Sequence, residues 1–129
     1  MIKQVFDVNG YWEVMVWYHL NHDLFYLVED ELLDANISKP MLKEIYHNMC
    51  YSKAKAVTYS NLHQHLSIVI FNPHYSKADF LNSVFHEVEH IKQAMLKAYY
   101  VEDKGEPPAY TVGYLISRMW VVIREFMCK

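Results

Sequence analysis

His86 and His90 stand four residues apart with Glu87 between them, in the string His86-Glu87-Val88-Glu89-His90. On a helix that spacing sets both imidazoles on one face, one above the other, where they can share a metal ion. A carboxylate one residue along is close enough to hold a metal-bound water without being a ligand itself. Zinc lowers the pKa of such a water toward neutrality, and the carboxylate can then take its proton. Glu89 is expected to face solvent or to support a ligand from behind. A hydrolytic zinc site also needs a third protein ligand and an open fourth position. No third histidine follows at the Gly-containing spacing used by some zinc sites. The downstream acidic candidates are Glu102, Asp103 and Glu106.

The elements that must position these groups are legible as periodicities. Asn9-Gly10 separates Val5–Val8 from Tyr11–Tyr18, which reads as a β-hairpin because both turn residues tolerate positive φ. Leu24, Leu27, Val28, Glu31 and Leu32 follow helical spacing over residues 23–35. Pro40 suits the first turn of a short helix reaching about Met49. Two β-prone runs follow, Ala54–Tyr59 and Leu66–Phe71, the second stopped by Asn72-Pro73. His63 and His65 alternate as if along a strand and so share a face. Ser76 with Asp79 opens the motif helix, whose apolar stripe is Leu81, Val84, Phe85, Val88, Ile91, Met95 and Ala98. Gly105 is its expected stop, and Pro107-Pro108 the restart. A last helix runs to about Phe126 with Val112, Leu115, Ile116, Met119, Ile123 and Phe126 inward. The tandem prolines put Glu106 ahead of that helix rather than within it. The order is one α+β domain over residues 1–129, a short sheet packed on a helical layer with the motif helix central.

Composition narrows the function classes. A 129-residue chain that is 53% hydrophobic can build a core without a disulfide scaffold. A net charge of -3 gives no electrostatic footprint for nucleic acid. No apolar run is long enough for a membrane span, and the opening Met1-Ile2-Lys3-Gln4 lacks the pattern of a signal peptide. Two widely spaced cysteines, Cys50 and Cys128, suit a reducing compartment. The 11 Tyr, 6 Phe and 3 Trp are read as core-building side chains rather than a ligand site.

Three strings carry a resemblance: Phe85-His86-Glu87-Val88-Glu89-His90, Gly105-Glu106-Pro107-Pro108-Ala109-Tyr110, and Gly113-Tyr114-Leu115. Together with Thr58-Tyr59-Ser60-Asn61 and Leu66–Ile70 they resemble small gluzincin-like zinc peptidases of bacteriophages and prophages, over roughly residues 55–118. The resemblance implies a minimal zincin-like fold, one zinc ion and hydrolysis of a peptide bond in a peptide or protein substrate. It implies a bacterial cytoplasm, with a phage or prophage source. By it, His86, His90 and Glu106 are the metal ligands and Glu87 is the catalytic base. It also gives the strand Leu66–Phe71 the role of an edge that pairs with extended substrate. With Glu106 at the metal, Tyr110 is placed to donate to an oxyanion. Packing against the motif helix is the other role open to Tyr110 and Tyr114, which share a helix face. Glu106 can reach the metal only if the motif helix ends or bends well before Gly105, since an unbroken helix to Tyr100 ends ~15 Å beyond His90. The rival reading is a zincin-fold binding or structural protein of a phage or mobile element, without turnover. Neither substrate nor oligomeric state is written in the sequence.

Overall fold

The computed structural model describes residues 1–128. The chain begins with a hairpin, β1 (Ile2–Val8) and β2 (Trp12–Tyr18), in which Asn9 and Gly10 take φ of 52° and 76°. A short 3-10 turn, His22–Leu24, leads into α1 (Phe25–Asp34). Next, α2 (Lys39–Tyr46) is capped by Ser38 and carries Pro40 in its first turn, where the missing N–H costs nothing. One π turn, His47–Tyr51, extends it before β3 (Ala56–Asn61) and β4 (Leu66–Phe71). Two long helices finish the chain, α3 (Lys77–Ala98) and α4 (Glu106–Met127). The architecture is α+β, and no described helix is long and apolar enough to cross a membrane.

The sheet order is β1-β2-β4-β3, with β2 and β4 parallel and both outer pairings antiparallel. Alternation then divides the sheet into two apolar faces. Val14, Val16, Tyr18, Val69 and Phe71 pack beneath α3 and α4. Trp17, Ile68 and Ile70 pack against α1 and α2. The sheet is therefore covered on both sides, where the sequence pattern suggested a single helical layer. Leu66–Phe71 read as a near-continuous apolar run because both its faces are buried. It is an interior strand, not the edge that the resemblance implied; the edges are β1 and β3, of which β3 lies beside it.

Two expectations about the last helices need correcting. The motif helix ends at Ala98, not near Gly105: the Val101 N–H donates to the Leu96 carbonyl at 2.9 Å, and Tyr100, just past the cap, takes a left-handed φ of 58°. That is a Schellman ending built on a tyrosine instead of the usual glycine. At the other end of the linker, Gly105 at φ 78° precedes α4, and Glu106 is that helix's first residue. Both prolines fall in the first turn, where no N–H is required of them.

Asn72 ties the loops together. It is 4% exposed, and its amide nitrogen donates to the carbonyls of Met49 and Ala54 at 3.0 and 2.6 Å. Asn72→Ala strands two acceptors and is expected to cost ~2–3 kcal/mol, read by denaturant unfolding. Tyr100→Gly is expected to raise stability by ~0.5–1 kcal/mol in the same assay, by relieving left-handed backbone at an exposed side chain.

Candidate metal centre

α3 begins where Ser76 Oγ accepts from the Asp79 N–H at 3.0 Å, and it runs over the β3–β4 side of the sheet. Phe80, Val84, Val88 and Ile91 anchor it in the core. His86 and His90 lie outside that stripe and are exposed to solvent, so their rings carry no packing duty. Their Nε2 atoms converge to 3.2 Å, with the rings at 82° to each other. Two nitrogens ~2.05 Å from one tetrahedral zinc lie about 3.3 Å apart, so the pair already has the bite of a chelate. Without an ion the same separation is a hydrogen bond in which one ring donates to the other.

Glu87, beside His86, enters the seam between α3 and β3 and is 4% exposed. Thr58 Oγ1 donates to its Oε1 at 2.9 Å. The other oxygen, Oε2, lies 3.9 Å from His86 Nε2. One carboxylate oxygen is thus fixed by the sheet while the second is aimed at the imidazole pair. Thr58 sits on the same face of β3 as Ser60, whose hydroxyl shares a 2.7 Å hydrogen bond with that of buried Ser67. The Trp12 indole N–H donates to Ser67 Oγ at 3.0 Å. A polar seam therefore runs beneath the motif helix, with every member partnered.

The structure does not bring Glu106 to the pair. α3 continues unbroken for eight residues past His90, about 12 Å. Direction matters as much as length. Lys92 follows His90 by two residues, about 200° around the helix, so it points to the opposite side. There its side chain, 8% exposed, pairs with Asp103 at 2.8 Å and with Glu89. Asp103 first, then Glu89, hold the Lys92 pKa above the usual lysine value. The linker to α4 is thereby fastened on the side of α3 away from His86 and His90. Pro107 and Thr111 accordingly line a groove with Met95, Leu96 and Tyr99.

The other candidates are engaged elsewhere. Glu102 pairs with Lys104 at 3.0 Å, and Glu89 also accepts from Gln93 at 3.4 Å. Tyr110 is 74% exposed on α4, and Tyr114 accepts a hydrogen bond from Arg118 at 2.9 Å. His63 and His65 fall in the β3–β4 turn, not along a strand; His65 stacks on Trp12 and meets Tyr99 Oη at 3.1 Å. Among the described residues, no three His, Cys, Asp or Glu side chains converge as a ready metal cage. The two imidazoles fit a zinc ion; the three-ligand set implied by the resemblance is incomplete here.

Sequence reasoning gave no role to Thr58 or Lys92. Two-residue alternation along β3 could have placed Thr58 toward the helix, and a lysine in the stripe next to Ile91 could have signalled a buried ion pair. No family model matches this chain, and no curated protein or solved structure matches it either.

Thr58→Val removes the donor to a buried carboxylate and should cost ~1–3 kcal/mol in denaturant unfolding. His86→Ala and His90→Ala, on an exposed face, should change stability by no more than ~0.5 kcal/mol in the same measurement.

Proposed function

We propose that this chain is a zinc-dependent hydrolase of peptide bonds, of the gluzincin type, acting in a bacterial cytoplasm. The observation that carries the reading is the convergence of His86 and His90 Nε2 atoms to 3.2 Å beside a buried carboxylate. His86 and His90 would hold the ion. Bound zinc would supply Lewis acidity at this point. Glu87 would take a proton from the attacking water through the oxygen left free by Thr58 and deliver it to the departing amine. Thr58 keeps the carboxylate in place through both transfers. A peptide is the favoured substrate because β3 presents an open edge alongside α3. An extended segment added to that edge runs past the Thr58–Glu87 contact. Free Cys50 and Cys128 agree with a reducing compartment.

A second reading has its own support. Two imidazoles are too few for a closed protein grip on zinc. With Asp103 fastened to Lys92, Glu106 supplies no third ligand in this arrangement. That favours a zincin-like binding protein without turnover, of the kind carried by mobile elements.

Calorimetric zinc titration separates the readings. Wild type should bind about one zinc per chain, and the His86→Ala/His90→Ala double variant none. Stoichiometric zinc in the double variant would sink the site. Glu87→Gln should keep the metal while any peptidase activity drops ~10²–10⁴-fold. Glu106→Ala should weaken zinc binding if the linker yields to bring Glu106 in; unchanged affinity transfers support to the binding protein.

A further inference from the structure

A separate cleft opens at the carboxyl ends of the two parallel strands. β2 leads into the 3-10 turn and α1 on one face of the sheet, and β4 leads into α3 on the other. Where adjacent parallel strands send the chain to opposite faces, a crevice is left between their loops. Here it measures about 590 Å³ and is lined by His22, Asp23, Lys53, Lys55, His74 and Asp79, among others. That volume falls within the ~300–1,000 Å³ range of small-ligand sites.

The floor of the cleft is pre-set. Asn72 spends its amide nitrogen on two carbonyls, so its oxygen accepts from His22 Nε2 at 3.1 Å. His22 therefore keeps its proton on Nε2. His74 shares a 2.8 Å hydrogen bond with Ser83, and its Nδ1 is buried without a hydrogen-bond partner. Burial lowers the His74 pKa, which keeps that ring neutral near physiological pH.

The charges that remain are balanced but not all paired. Lys55 and Asp79 form an ion pair and cancel. Lys53 and Asp23 line the same cleft, both exposed, and among the described residues neither is paired with an opposite charge. A purely anionic ligand leaves Asp23 unanswered, and a purely cationic one leaves Lys53 unanswered. We propose that the cleft binds a short peptide with both termini free, its carboxylate on Lys53 and its ammonium on Asp23. The volume exceeds what a single amino acid fills, which favours the peptide. This site is distinct from the His86–His90 pair and needs no metal.

The test uses the full chain, ¹⁵N-labelled and metal-free, titrated with the dipeptide Ala-Ala while amide shifts are followed. Acetyl-Ala-Ala and Ala-Ala-amide serve as singly charged controls. Ala-Ala should shift amides of residues 21–23, 53–55, 72, 74 and 75 saturably, and capping either terminus should weaken binding at least about fivefold. Lys53→Met should abolish the penalty for amidation alone, and Asp23→Asn the penalty for acetylation alone. Equal binding of all three peptides, no saturable shift, or shifts centred on His86 and His90 would each overturn the proposal. Shifts confined to the motif helix would instead speak for substrate binding at the metal centre.

Discussion

The parallel pairing of β2 with β4 sets the course of the rest of the chain. Parallel neighbours cannot be joined by a tight turn, so α1, α2 and β3 must all fit between them in sequence. Those intervening helices cover one face of the sheet. The chain leaving β4 then has only the other face open to it, and α3 takes it. The pairing also makes β2 and β4 interior on both sides, which is why Val14, Val16, Ile68, Val69 and Ile70 are fully buried. β3, pairing with β4 alone, is left at the edge under α3. The polar seam and the motif helix meet there as a result.

That meeting imposes a constraint on Glu87. A carboxylate excluded from water is costly unless hydrogen-bonded, and Thr58 supplies the bond. The cost is tolerated on a helix whose neighbouring turns bury Val84, Val88 and Ile91. Lys92, on the far side of α3, solves the same problem with ionic partners, Asp103 and Glu89. Its second consequence is topological, because the pair fixes the route by which the chain reaches α4.

Much of this was legible in the residues. The hairpin at Asn9-Gly10, the cap at Ser76, Pro40 in a first turn and the extent of β4 follow from local chemistry, and all lie where the pattern put them. So does the face shared by His86 and His90, since it needs only helical geometry. What local chemistry could not supply was strand neighbourhood. Nothing within Leu66–Phe71 tells whether it lies inside the sheet or at its rim; that is decided by its contact with β2, some fifty residues earlier. The end of α3 was missed for another reason. Tyr100 took the left-handed position expected of Gly105, because a Schellman closure depends on backbone bonds that any residue can make at a cost. The distance of Glu106 from the histidines follows from the run of α3 past His90 and from the Lys92–Asp103 pair.

His86 and His90 support nothing in the core. Their replacement leaves the packing beneath α3 untouched, so selection for a stable fold does not guard them. Glu87 and Thr58 are guarded, since each satisfies the other in a buried seam. If the chain works with zinc as proposed, a lineage that ceased to need the ion could shed both imidazoles by drift and keep the acidic residue between them. In descendants of this chain, a glutamate facing a threonine under a helix without its histidines would be the relic of a lost site.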